Sequence, residues 1–215
     1  MFRVGEEIHP DIFNNLIEII QKRGIEINRF RTQSGEGRSQ CFGIVRQRTG
    51  HYSGSRMNFA RMDIFQELQN IARVILPPDF TFTSIQVNEN YQSLSHQDSG
   101  NRGESAIIGF GDYLEGDLQV EQESVSIKHS LVFFDGSLYT HWTRPFSGNR
   151  YSLVFHTPKP FFTAIPIYKV VGETLQEDLN GVSRFYSKRG KCLYSSDGII
   201  PVVIPRRHTL RDCVV

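Results

Sequence analysis

From Phe80 to Thr157 the chain breaks into short runs of β-forming residues, and no other feature limits the fold as strongly. "FTFTSIQVN", "SAIIGFG", "GDLQVEQ", "SVSIKH", "SLVFFDG" and "RYSLVFHT" alternate or cluster Val, Ile, Phe, Thr and Tyr, with Gly, Asp or Asn between them. Runs this short and evenly punctuated predict antiparallel pairing in a barrel or jelly roll rather than a parallel sheet. The abundance of Phe, 16 in 215 residues, suits such a core.

Upstream the periodicity is helical. In "HPDIFNNLIEIIQKRG" the apolar Ile12, Phe13, Leu16, Ile19 and Ile20 share one stripe and Gly24 closes it. In "RMDIFQELQNIARVIL" the stripe is Ile64, Phe65, Leu68, Ile71, Ala72 and Ile75, stopped by Pro77 and Pro78. "TQSGEGRS" and "RTGHYSGSR" read as Gly/Ser-rich loops, and "GDYLEG" as a hairpin connection with Gly111 and Gly116 at positive φ. Beyond Pro158, "FFTAIPIYKVV" and "GIIPVVIP" read as strands and "GETLQEDLN" as a helical turn or loop. The expected organisation is one domain over 1–215: a helical, basic region over 1–79, a β core over 80–157 and an extension over 158–215. Its class is mainly β with flanking helices (α+β).

Within the β core, "SHQDSGN" places His96 and Asp98 two apart, on one side of an extended segment. Alone, H-x-D is an ordinary polar turn. Here His141 follows 43 residues after Asp98, where a strand of a rolled antiparallel sheet folds back. Three such ligands on one face leave the opposite positions of a metal open, the 2-His-1-carboxylate arrangement of non-haem iron. The cysteines, Cys41, Cys192 and Cys213, form no C-x-x-C pair, so no closed zinc site or disulfide framework is indicated. Nine residues after His141 comes Arg150, with Ser152 on the same strand face. A guanidinium fork and a hydroxyl directed into a barrel suit a carboxylate.

The order H-x-D, His, R-x-S resembles the Fe(II)/2-oxoglutarate-dependent dioxygenases, whose core is a double-stranded β-helix, a jelly-roll (cupin-like) variant. "FTSIQVNENY", "HQDSGN", "IIGFGDYLEGDLQV" and "RYSLVF" look most like the TET/JBP oxygenases of thymine and 5-methylcytosine, and "RSQCFGIVRQR" extends the likeness to about Arg38. "VNENY…SHQD" and "NRYSLVFH" are similar to AlkB-type demethylases, with His156 where their motif ends in Arg. The resemblance implies His96, Asp98 and His141 as iron ligands, and Arg150 with Ser152 as the 2-oxoglutarate anchor. Fe(II), 2-oxoglutarate and O2 would be the cofactor and cosubstrates. The implied reaction is hydroxylation of a base methyl group, with protein side chains or small metabolites as the alternative substrates.

Asn88 and Tyr91, on the run feeding H-x-D, read equally as cosubstrate contacts or ordinary strand polars. Asn101 reads as a ligand contact or a turn former, Trp142 as a pocket wall or core, and His156 as a pocket residue or a strand-end polar. Between Lys22 and Arg61 nine Lys or Arg face two acids. Arg29, Arg31, Arg46, Arg48 and Arg56 are therefore candidates for a phosphate-tracking surface, DNA rather than RNA, or a solvated loop face. No signal peptide or apolar span is visible, which predicts a soluble intracellular protein, nuclear or cytoplasmic. Nothing indicates an oligomeric state.

Overall fold

Alternation along the strands gives the molecule its two interiors. The structure, a computed structural model, describes residues 1–26, 35–46 and 52–159 and three later strands. In chain order these are β1 (Phe2–Glu7), a 3-10 turn (Pro10–Phe13), α1 (Asn14–Arg23), β2 (Gly35–Arg46), β3 (Tyr52–Gly54), α2 (Met57–Ala60) and α3 (Met62–Ile75). There follow β4 (Ser84–Ser93), β5 (Ser105–Phe110), β6 (Tyr113–Glu115), β7 (Leu118–Val120), β8 (Glu123–Val125) and β9 (Ser130–Phe134). Then come β10 (His141–Thr143), β11 (Phe146–Gly148), β12 (Tyr151–His156), β13 (Thr174–Glu177), β14 (Ser183–Tyr186) and β15 (Cys192–Ser195).

Seven strands form one antiparallel sheet in the order β1-β9-β5-β12-β4-β2-β3. One set of alternate residues, including Ile85, Val87, Ile108, Phe133, Leu153 and Phe155, packs under α1 and α3. Their neighbours Ile107, Val132 and Phe134 face the other way, onto Leu118 and Val120 of the smaller sheet β10-β7-β8. This is a jelly roll with helices covering one outer face, as the strand pattern predicts.

Both predicted helices form. The first begins as a 3-10 turn because Pro10 occupies its first position, and Gly24 ends it at φ 72°. Leu76 is already extended, as the residue before Pro77 must be. Phe13 stacks on Phe110 with ring centroids 4.4 Å apart, which fastens α1's entry to the sheet.

Five local expectations are corrected. In "RTGHYSGSR", read as a loop, Tyr52–Gly54 forms β3 against the end of β2. "FTFTSIQVN" becomes strand only from Ser84; Phe80 and Phe82 instead pack edge-on against Phe133 and Phe155, at 5.4 and 5.2 Å. "TQSGEGRS" reads as a loop because of its glycines, yet from Gly35 it is β2. Gly37, at φ 115°, makes a bulge so tight that a Cβ would lie 2.2 Å from the Asn90 carbonyl. In "GDYLEG" the two glycines do take positive φ, but the residues between them pair with β11 rather than turning back. In "GETLQEDLN", Thr174–Glu177 is a strand whose ladder with β14 overrides its helical composition. "FFTAIPIYKVV" and "GIIPVVIP" lie outside the described residues. No described helix is long and apolar enough to cross a membrane.

Candidate metal centre

β4 ends at Ser93, and the chain then returns across β10. His96 and His141 face each other in an antiparallel bridge, with backbone N–H···O distances of 3.1 and 2.9 Å. Asp98 lies beyond that bridge, held where its N–H donates to the Gly136 carbonyl at 2.8 Å. The three predicted ligands therefore come together: the Asp98 carboxylate oxygens lie 3.7 Å from His96 Nε2 and 3.7 Å from His141 Nε2. One donor atom from each residue falls within 4.8 Å of the others.

Proton accounting fixes what these atoms can do. His96 Nδ1 lies 2.6 Å from the Leu94 carbonyl and His141 Nδ1 lies 3.0 Å from the Tyr139 carbonyl. A carbonyl only accepts, so each Nδ1 carries the hydrogen and, in the neutral ring, each Nε2 presents a lone pair. Two imidazole lone pairs and a carboxylate thus converge on one point, an arrangement that calls for a cation. Phe134 packs edge-on against the His141 ring at 4.8 Å, and a Cβ on Gly136 would come within 3.0 Å of that ring and 3.4 Å of Asp98 Oδ2. Packing holds the ligand rings from one side and leaves the other open to a cavity of about 440 Å³.

Asn88, Tyr91, Asn101, Ser152 and His156 all line that cavity. Asn88 is buried within a hydrogen-bonded row: Gln86 Nε2 to Ser39 Oγ at 2.7 Å, Ser39 Oγ to Asn88 Oδ1 at 2.7 Å, and Asn88 Nδ2 to Ser152 Oγ at 3.1 Å. The row follows the register in which Ser39, Asn88 and Ser152 stand side by side on β2, β4 and β12. Ser152, as acceptor in this row, keeps its own hydrogen for a further acceptor.

Arg150 is 2% exposed and is not among the residues that line the cavity. Its guanidinium stands 5.6 Å from the Tyr113 ring centroid and 5.4 Å from that of Phe146, and its buried Nε has no hydrogen-bond partner. Burial pushes this guanidinium below its ordinary pKa and pushes the Tyr113 hydroxyl up to about 12. A desolvated cation with an unpaired Nε donor, two residues before Ser152, fits a carboxylate-bearing ligand.

Sequence reasoning misses what positions that cation. Asn90, at φ 48°, donates its N–H to the Arg150 carbonyl and accepts the Arg150 N–H on Oδ1, both at 2.7 Å. Asn tolerates that backbone better than most residues. Asn90→Ala is expected to lower stability by about 1–3 kcal/mol through the lost acceptor and the strained φ. Asn90→Asp, which keeps an acceptor oxygen, should lie closer to wild type in urea unfolding. The hydroxyls of Ser93 and Thr143, 3.0 Å apart on the cavity wall, were equally invisible in sequence. Trp142 is not among the lining residues; its neighbours His141 and Thr143 are. Of the basic candidates, Arg56 is exposed and lies 3.5 Å from Glu26, and Arg46 sits at the end of β2. Arg29, Arg31 and Arg48 lie outside the described residues.

No family model and no curated protein matches the chain. Solved structures do. NgTET1 in complex with 5mC DNA aligns at a TM-score of 0.50 and 15% identity, over 74% of this chain and 72% of that one. A prolyl-4-hydroxylase from Pseudomonas putida aligns at 0.44 and 16%, over 72% and 91%. OsALKBH1 aligns at 0.46 and 12%, over 73% and 96%. All three are 2-oxoglutarate/Fe(II) oxygenase-family structures, and the likeness to the first shows that this chain has the fold of that family.

Proposed function

We propose that the chain is an Fe(II)/2-oxoglutarate-dependent dioxygenase that hydroxylates the methyl group of a pyrimidine base, 5-methylcytosine or thymine, in DNA. The observation that carries this reading is the convergence of two Nε2 lone pairs and the Asp98 carboxylate on an open cavity, with a buried guanidinium beyond it. The donor set suits iron: two imidazoles and one carboxylate, with no thiolate beside them among the described residues. Iron with 2-oxoglutarate and O2 supplies, when bound, oxidative decarboxylation to succinate and CO2 together with the oxidation of a C–H bond.

The protein's own role is to bind and orient. His96, Asp98 and His141 hold the metal, with both rings fixed by their carbonyl partners. Arg150, with the Ser152 hydroxyl, holds the distal carboxylate of 2-oxoglutarate; Asn88 orients that hydroxyl, and Tyr91 lines the same wall. Ile107, Leu118, Phe134 and Val154 give the cavity of about 440 Å³ an apolar side for the substrate among its polar residues. A base in duplex DNA reaches it only by leaving the stack.

Three things support DNA as the substrate: the likeness of "HQDSGN" and "IIGFGDYLEGDLQV" to the TET/JBP oxygenases, the fold shared with NgTET1, and the basic excess between Lys22 and Arg61. Exchanging Arg29, Arg31, Arg46, Arg48 and Arg56 together for Gln is expected to weaken DNA binding. The slope of log affinity against log salt should flatten by about 0.9 for each phosphate no longer neutralised. An unchanged affinity and slope would reduce that stretch to solvated surface. The substrate class is tested by incubating the iron-loaded protein with 2-oxoglutarate and, separately, methylated DNA, unmethylated DNA and peptide pools, with mass spectrometry of the products. Oxidised methyl groups on DNA bases are expected; hydroxylated peptides with unmodified DNA would overturn the reading.

A further inference from the structure

A second cleft, of about 520 Å³, is lined by Arg102, Gly103, Asp135, Ser137, Leu138 and Lys159. The two hollows are lined from adjoining loops. Asn101 lines the metal cavity and Arg102, the next residue, lines the cleft; Asp98 and Gly136 join the two loops at 2.8 Å.

The two cations are brought there by pairing between distant segments. Asn101 and Pro158 form an antiparallel bridge, closed by Arg102 N–H to the Thr157 carbonyl at 3.1 Å and Lys159 N–H to the Gly100 carbonyl at 2.9 Å. Arg102 and Lys159, separated by 57 positions in sequence, thereby flank one opening. Among the described lining residues Asp135 is the acid, and its Oδ1 accepts the Ser137 N–H at 3.0 Å and the Ser137 hydroxyl at 2.7 Å. Glu104 nearby is turned to Arg3, at 2.7 Å. Leu138 is 64% exposed on the rim, and its carbonyl accepts the Gln97 amide at 3.2 Å, next to His96.

We propose that this cleft is a phosphodiester subsite, in which Arg102 and Lys159 hold the backbone phosphate beside the nucleotide whose base enters the metal cavity. Leu138 covers the apolar face of the adjoining sugar or base. The proposal rests on the nucleic-acid reading above and adds the place where the strand is gripped. Two cations at the mouth suit a polyanion, and one exposed leucine beside them suits the apolar surface uncovered when a base leaves the stack.

The test is fluorescence anisotropy of a methylated oligonucleotide against the 215-residue chain over a salt series, with Arg102→Gln, Lys159→Gln and the double variant. Arg73→Gln on α3, against the opposite face of the main sheet, is the charge-matched control. The double variant is expected to bind roughly tenfold more weakly and to lose about one to two units of salt slope, with Arg73→Gln near wild type. Arg102→Lys should restore most of the slope, since charge rather than local packing sets it. Equal affinity and slope in wild type and double variant, or an equal loss in the Arg73 control, would overturn the proposal. Product analysis on the same oligonucleotide separates the two levels. Slope lost in the double variant with no base oxidised by wild type would leave the subsite standing and remove the proposed reaction.

Discussion

Asp98→Ala is expected to abolish turnover while the fold survives. Asp98 is partly exposed, in a loop after β4, and holds the loop through its backbone N–H rather than its side chain. Losing a carboxylate ligand should cost more than the ten- to hundredfold typical of losing an outer partner, so a fall of over about two orders of magnitude is predicted. His96→Ala and His141→Ala should behave alike in activity but not in stability. His141 is buried against Phe134 and starts β10, whereas His96 is half-exposed. Metal content after dialysis and thermal unfolding, measured together, separate ligand loss from misfolding. Full activity in Asp98→Ala with iron present would dismiss the triad.

Arg150 carries the second large effect. Arg150→Lys keeps the charge but loses the planar fork and its stacking between Tyr113 and Phe146. Half-saturation by 2-oxoglutarate should rise by one to two orders of magnitude, about 1.5 to 3 kcal/mol for a charge-assisted contact. Iron binding should be retained, because Arg150 is not a ligand. Arg150→Ala should be worse, leaving both a void under Gly116 and a buried carboxylate without its counter-ion. The measurement is a 2-oxoglutarate titration of turnover at saturating iron. An unchanged half-saturation in Arg150→Ala would assign the carboxylate to another residue.

Much of the candidate site was legible because its residues obey the short periods of extended chain. H-x-D is a two-residue step, and along β12 Ser152 reaches the cavity for the same reason that Val154 and His156 do; Arg150, just before that strand, does not line it. The strand runs likewise foretold the two-faced sheet. What sequence could not show depends on pairing between distant segments. Asn90 grips Arg150 only because β4 lies against β12, and its positive φ leaves no mark on composition. Tyr113 meets Arg150 because Gly109 leaves room: a Cβ there would lie 2.4 Å from the Tyr113 hydroxyl. Gly37 and its neighbours imitate a loop for a similar reason, since a bulge in β2 needs the residue that turns also use. Phe80 and Phe82, strand-like in isolation, find a better place capping the helix-side core.

The central claim is that His96, Asp98, His141 and Arg150 form one centre that couples cosubstrate decarboxylation to oxidation of a DNA base. Turnover of methylated DNA under isotopically labelled dioxygen, with the succinate analysed by mass spectrometry, tests it most directly. One labelled oxygen atom is expected in each succinate, formed in step with oxidised base and absent in Asp98→Ala. Succinate without label, or oxidised base formed without succinate, would contradict it.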